Sequence, residues 1–250
     1  MLESLTAVQI AISACIVFGA FVIRGMSGFG AGMIGIPLLA FLIPVHTAVS
    51  MFGLLVLVLF TFLSIRDWRE VVRHELKLLL APTLLGVVAG VLLFKHLDSS
   101  LLLQLLGGFL ITYALYTFAA NYFKLPEMTC SDRWAIPVGF VGAVIDTLFG
   151  GGGGTLVVIY LHLHLRRVGR APFRATVAML WLFEMVARIA GYGAAGYYTM
   201  DSLLLCALLL PVMFAGSWIG ERLGNRVSQE TFSRILAGLL ALTGASLLLK

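Results

Sequence analysis

Charge is scarce in this sequence. Only 12% of its 250 residues are Asp, Glu, Lys or Arg, about half the roughly 25% of a soluble domain. A chain this poor in charge has no polar face to give to water along most of its length, which excludes an ordinary soluble fold. Cysteine is nearly missing too. Cys15, Cys130 and Cys206 show no metal-ligand spacing and no disulfide framework. Cys15 and Cys206 fall in apolar runs and are expected to be small core residues. No lysine accompanies Thr155 after the run of glycines, so a Walker-type phosphate loop is excluded. The start, Met1-Leu2-Glu3-Ser4, lacks the basic region of a cleaved signal, and the apolar run behind it is as long as a membrane span. The net charge of +5 does not indicate nucleic acid, because the basic residues crowd short loops between apolar runs. That is how a membrane protein sets its orientation.

What is present is apolar sequence, 60% of the chain. Long runs occupy about 5–24, 45–65, 78–94, 101–120, 134–149, 176–194, 203–220 and 231–249, and shorter ones 33–43 and 155–165. The pattern predicts an all-α, polytopic helical membrane protein. Each short run follows a glycine-rich stretch and reaches about half of a 30 Å hydrocarbon core as helix.

The chain also repeats itself. "RGMSGFGAGMIGI", Arg24 to Ile36, aligns without gaps on "DTLFGGGGGTLVV", Asp146 to Val158. "TAVSM" (47–51) then matches "ATVAM" (175–179), "APTLLGVVAG" (81–90) resembles "LPVMFAGSWIG" (210–220), and "LLGGFL" (105–110) resembles "ILAGLL" (235–240). The expected organisation is a membrane repeat over 1–122, a cytoplasmic linker over 123–131 and a second repeat over 132–250. If each glycine stretch and its short run cross the membrane, each half crosses five times and the halves are inverted. The loops 66–77, 121–133, 166–174 and 221–230 then share one side with Arg24, leaving only Lys95 and Lys250 opposite. The alternative, short runs that re-enter, splits the basic loops between both faces. The positive-inside rule favours inversion and places both termini outside.

Unwound backbone at membrane depth is tolerated only where protein buries it or it lines a cavity. Glycine supplies the torsions for it. The glycine stretches are therefore expected to run extended, to meet near the midplane, and to offer amides and helix N-termini to an anion. This nominates Arg24, Ser27, Gly28, Gly30 and Gly32 in the first half, and Gly150, Gly151, Gly152, Gly153, Gly154 and Thr155 in the second, as substrate-binding residues. The plainer reading of the glycines is helix packing, which suffices for Gly86/Gly90 and Gly216/Gly220.

Arg24 and Asp146 occupy equivalent places before the two stretches. Arg24 is either an interfacial anchor or an anion contact, and Asp146 either an arginine's structural partner or a coupling or gating group. Glu184 and Arg188 lie four residues apart on one helix face, either as an ion pair or as a proton site and an anion contact. His46 reads as interfacial. His162 and His164 have no acidic or thiol neighbour in sequence, so no metal is expected. "GMSG" (25–28) fits the serine pattern of intramembrane proteases, but no mid-helix histidine accompanies it.

Taken together, "IPLLAFLIPVHTAVSM", "GAVIDTLFGGGGG" and "RATVAMLWLFEMVARIAGY" resemble the TauE/SafE family of sulfite and organosulfonate exporters across essentially the whole chain. The family pattern, G-x-G-G-G with a following proline in both halves, is "GFGAG" with Pro37 here, then five glycines with Ile159 in the proline's place. The resemblance implies a secondary transporter in the cell membrane that exports a small oxyanion, with the lipid bilayer as partner, homo-oligomerisation left open, and no cofactor or nucleic acid. The alternatives are proton-coupled uptake through Asp146 or Glu184, an intramembrane hydrolase using Ser27, and a non-transporting accessory subunit.

Overall fold

The structure is a computed structural model that describes residues 7–27, 30–122, 131–165, 169–224 and 229–248. Cys130 and Gly28 lie outside them. The described residues fold into ten α-helices and two short 3-10 turns, Trp68–Glu70 and Asp132–Trp134. In chain order the helices are α1 Ala7–Ser27, α2 Ala31–Leu39, α3 Val45–Asp67, α4 Arg73–His96, α5 Ser99–Tyr122, α6 Ala135–Phe149, α7 Gly154–Leu165, α8 Arg170–Ala194, α9 Met200–Leu223 and α10 Gln229–Leu248. Helix is what a membrane demands, because it satisfies backbone N–H and C=O groups within the segment. Local chemistry sets the ends where water returns. Thr199 and Ser202 exchange side-chain and backbone hydrogen bonds at the start of α9, a full capping box.

Among the described residues, six helices are long and apolar enough to cross a membrane, lying in α1, α3, α4, α5, α8 and α9. The run 134–149, expected as a full span, yields only the 15 residues of α6, because Gly150 turns left-handed and stops it. The glycine stretches also differ from expectation. They are not seven residues of extended chain. Helix continues through Ser27 and through Phe149, and α2 and α7 open at Ala31 and Gly154. Non-glycine residues at membrane depth keep helical hydrogen bonds, since an unpaired backbone group there costs several kcal/mol.

Two compact units emerge. One comprises 1–52, 97–126 and 198–250, the other 53–96 and 127–197. Each draws helices from both halves of the sequence. In the first unit α9 packs on α1, and α10 on α5. Gly216 lies against Phe18, Gly220 against Val22 and Gly25, and Gly224 against Met26, so α1 and α9 run parallel. Gly107 meets Gly244 and Leu248, while Gly244 meets Leu110 and Ile111, so α5 and α10 run antiparallel. These two are the last helices of the two halves. In the second unit α4 packs on α6 and on α8. Gly139 lies against Leu79, Pro82 and Thr83, Gly86 against Phe140 and Ala143, and Gly90 against Thr147, so α4 and α6 are parallel.

The two glycine contacts correspond residue by residue. In the register that sets Arg24 over Asp146, Phe18 lies over Phe140 and Gly25 over Thr147. Those are the residues that Gly216 and Gly220, and Gly86 and Gly90, approach. At all four glycines a Cβ would collide with the facing helix, so glycine here permits close backbone approach. Cys206 is buried as expected, but Cys15 is exposed. Apolar sequence around a residue in a membrane chain does not imply burial in protein.

Candidate functional site

The glycine turn between α6 and α7 is the better described of the two. Gly150 adopts φ 71° and donates its N–H to the Asp146 carbonyl at 2.8 Å, closing α6. Gly152 adopts φ 103°. The Thr155 and Leu156 amides then donate to the Gly152 and Gly153 carbonyls at 3.2 and 3.0 Å, opening α7. Gly153 and Gly154 pack. A Cβ on Gly153 would run into the Gly142 carbonyl of α6, and one on Gly154 would lie 2.6 Å from the Trp181 ring of α8. Four of the five consecutive glycines thus divide two tasks, torsion at Gly150 and Gly152 and close packing at Gly153 and Gly154.

α7 returns the chain to the end where α6 began. His164 Nε2, near the end of α7, lies 3.3 Å from Oδ1 of Asp132, just ahead of α6, and His74 Nε2 at the start of α4 lies 3.8 Å from its Oδ2. His164 also stacks on Tyr160, whose hydroxyl donates to buried Glu75 at 3.2 Å. The sequence offered His164 no acidic neighbour, but the fold supplies one. Among the described residues no group of three or more His, Cys, Asp or Glu is placed to hold a metal.

Three ionisable side chains are buried beside this turn. Asp146 is 5% exposed, Glu184 2% and Arg188 2%. Arg188 Nη1 donates to the Asp146 backbone carbonyl, and Nη2 to the Met185 sulfur at 2.6 Å. Arg188 Nε and Glu184 Oε1 have no hydrogen-bond partner. The expected Glu184–Arg188 ion pair is not among the salt bridges of the described residues. Helical spacing brings the two onto one face, but the guanidinium is drawn across to α6. The two still act on each other electrostatically, together with Asp146.

Sequence reasoning named Glu184 and Arg188 but passed over Trp181, Met185 and Tyr192, which complete one buried face of α8 at helical spacing. Tyr192 donates its hydroxyl to the Thr147 carbonyl. The stripe was legible as a periodicity, but which helix it would meet was not.

The turn between α1 and α2 carries the first-half residues. Arg24 is buried, 7% exposed, and its Nη1 donates to Ser217 Oγ of α9 at 3.4 Å. It is not an anchor reaching for the interface. Ser27 ends α1, and its side chain lies outside what is described. Gly30 caps α2 with φ 90°, and Gly32 is buried in its first turn. At the start of α3, His46 Nδ1 lies 3.3 Å from the exposed Ser99 hydroxyl.

Comparison with known proteins agrees over nearly the whole chain. The family model described as "Sulfite exporter TauE/SafE" matches residues 13–247. A protein of Cupriavidus necator named "Probable sulfite/organosulfonate exporter TauE" is 28% identical over 235 residues, covering 90% of this chain and 88% of that one. A "Probable membrane transporter protein MJ0441" of Methanocaldococcus jannaschii is 25% identical over 170 residues, covering 64% and 62% respectively. No solved structure matches.

Proposed function

This chain belongs to the sulfite exporter TauE/SafE family, a family of membrane transporters, and from that premise we propose that it exports a small oxyanion such as sulfite or an organosulfonate. The observation that carries this reading is a buried guanidinium beside a broken helix. Arg188 is almost fully enclosed, yet its donors are spent on a carbonyl and a thioether, and Nε is unused. A buried cation costs several kcal/mol unless it is paired, and its planar fork of donors suits an oxyanion. The amides of Gly150, Gly151, Gly152, Gly153, Gly154 and Thr155 lie at the same turn, at a helix N-terminus that favours negative charge. Arg24, Ser27, Gly28, Gly30 and Gly32 are the corresponding substrate-binding candidates of the first half.

An inside-negative potential favours anion exit by about 2.3 kcal/mol per charge per 100 mV, so export needs no nucleotide. Both termini outside is the orientation that this direction accompanies, with the basic loops in the cytoplasm. A second reading, proton-coupled uptake, draws on Glu184, a buried carboxyl with an unpartnered oxygen that could carry the coupled proton beside Asp146. Purified protein in liposomes separates the two. Sulfite efflux driven by potential alone supports export. Flux that requires an imposed pH gradient replaces it with coupled transport, and no flux of any small anion leaves the accessory-subunit alternative. Peptide cleavage that is lost in Ser27→Ala would overturn the transport reading.

A further inference from the structure

We propose that His164 is a pH-responsive clip: as an imidazolium it fastens the end of α7 remote from the glycine turn to Asp132 ahead of α6, and on losing its proton it lets that end go. The clip stands on its own geometry, and its effect on anion flux rests on the transport reading above.

α7 is a helix of 12 residues that packs on α6 and α8. Two side chains one turn apart tie down its far end. The Tyr160 hydroxyl donates to Glu75 of α4 at 3.2 Å, and both residues are buried. His164 follows, its Nε2 3.3 Å from Asp132 Oδ1. All four residues belong to the second compact unit. A helix is a stiff rod, so fastening this end restrains the amides that open α7 at the glycine turn.

Three contacts of His164 ask for the charged ring. Nε2 faces a carboxylate oxygen, and Nδ1 faces the Tyr160 carbonyl at 3.1 Å. Both partners only accept. A neutral imidazole carries one N–H and one bare lone pair, whereas the imidazolium donates from both nitrogens. Only the cation satisfies the two contacts together. The ring also stacks on the Tyr160 ring with centroids 4.2 Å apart, and an aromatic face attracts a cation. Loss of the proton sets a lone pair against an oxygen at one of the two nitrogens. The side chain is only 13% exposed, so water has little room to replace the lost partner.

Histidine is the side chain whose charge changes between mildly acidic and neutral pH. The clip is therefore complete on the acid side and loosens as pH rises. The ionisable groups around it are Asp132 from the turn before α6, His74 and Glu75 from α4, and Tyr160 from α7 itself. His74 Nε2 stands 3.8 Å from the other Asp132 oxygen, but it is exposed and adds less. From α8, Phe173 meets this end of α7, edge-on against His162. Arg73, Lys77, Arg133 and Arg174 are exposed and form no salt bridge with these groups among the described residues. The side chains of Arg166, Arg167 and Arg170 lie outside what is described. The register that sets Arg24 over Asp146 puts Ile10, Leu38 and Leu42 at the places of Asp132, Tyr160 and His164. The clip thus belongs to one repeat only.

The test is hydrogen exchange of the α7 amides in the purified full chain in detergent, read by mass spectrometry at about pH 6 and about pH 8, either side of histidine's charge change, and corrected for intrinsic exchange rates. In wild type, α7 should be about threefold to tenfold better protected at the lower pH, the factor that one hydrogen bond carries. Asp132→Asn, at an exposed position that does not endanger the fold, should lose most of that difference and His164→Gln all of it, while His162→Gln keeps it. Equal protection of wild type at the two pH values, or a difference that survives in both Asp132→Asn and His164→Gln, overturns the clip. Sulfite flux in liposomes reads the consequence, compared between wild type and Asp132→Asn at each pH so that titration of the probe cancels. Wild type should be slower at the lower pH and equal at the higher. Equal flux at both, with exchange as expected, overturns the regulatory role and leaves transport standing. No flux of any small anion in either protein overturns the transport reading, and exchange still decides the clip.

Discussion

Where α9 crosses α1, Gly220 rests on Gly25 and the Val22 carbonyl; where α4 crosses α6, Gly90 rests on Thr147. The two crossings use matching positions of the two repeats and the same parallel direction, yet their ionisable residues are opposite. Arg24 precedes Gly25, and Asp146 precedes Thr147. Setting Gly86 over Gly216 and Gly90 over Gly220 puts Val87 over Ser217. Hence α9 presents a hydroxyl to Arg24, whereas α4 presents buried Val87 to the crossing that carries Asp146. Asp146 gains nothing polar from that position, and Arg188 of α8 reaches its main-chain carbonyl instead. The first crossing gives its arginine a hydroxyl from the facing helix. At the second, Thr147, Glu184 and Arg188 each keep a buried polar atom without a hydrogen bond. The packing is alike in the two crossings, and the polar surroundings are not.

The largest effect should come from breaking the charge balance of that second crossing. Arg188→Gln leaves Asp146 and Glu184 buried without their cation, a change worth about 3–5 kcal/mol when one partner of a buried pair is removed. We expect loss of sulfite flux and a markedly lower unfolding temperature. Arg24→Gln should be milder in stability, because the bond it makes to Ser217 is long, 3.4 Å, and glutamine can still reach toward that hydroxyl. Equal losses in the two variants, measured by thermal unfolding in detergent, would dissolve the contrast.

Next in size are the crossings themselves. Gly220→Ala sets a methyl against backbone, the Val22 carbonyl, which cannot step aside. Overpacking of this kind costs about 1–3 kcal/mol. Gly90→Ala meets the Thr147 side chain instead, with Cβ atoms 2.6 Å apart before relaxation. Its damage should therefore be relieved by Thr147→Gly, which makes the second crossing resemble the first. No substitution at Gly25, already glycine, can rescue Gly220→Ala. Unfolding temperatures of the four single and double variants decide this, and a Gly90→Ala defect untouched by Thr147→Gly would place the obstruction elsewhere.

Smaller still is the torsional cost at the turn. Gly152 sits at φ 103°, a region that costs an L-residue about 1–2 kcal/mol. Gly152→Ala should lower both stability and flux. A variant with wild-type flux and stability would mean that the turn relaxes freely and that its shape is not under constraint.

Much of this was legible in residues alone. The two glycine stretches, the short helices behind them, the ordered matches between halves and the run of apolar segments all follow from local composition, which the bilayer reads directly. Partners that depend on how helices cross were not legible. Nothing near His164 in sequence announces Asp132, and nothing near Arg24 announces Ser217. Spacing on α8 suggested that Glu184 and Arg188 pair, but a rival acceptor on α6, the Asp146 carbonyl, captures the guanidinium. The glycine stretches were expected to run extended because glycine permits it, yet in a membrane the neighbouring residues keep helix until a positive φ ends it. The matching stretches are visible in sequence, while the packing of α9 on α1 and of α4 on α6 belongs to tertiary structure.

The finest test exchanges the one residue that distinguishes how each crossing treats its charge. Ser217→Val removes the hydroxyl that Arg24 Nη1 reaches at 3.4 Å. The bond is long, so its loss should cost only about 0.5–1 kcal/mol, and flux should persist. Val87→Ser is the converse. It offers α6 a hydroxyl where there was none, although a serine inside a helix can also bond back to the carbonyl one turn earlier, here that of Thr83. If the new hydroxyl finds an acceptor on α6, it offsets part of the packing lost with the buried valine, and the unfolding temperature falls less than in Val87→Ala. If it bonds back to Thr83, the two variants unfold together. A Val87→Ser protein that unfolds well below Val87→Ala would mean that the second crossing has no place for a hydroxyl, and that Ser217 and Val87 are not interchangeable parts of one design.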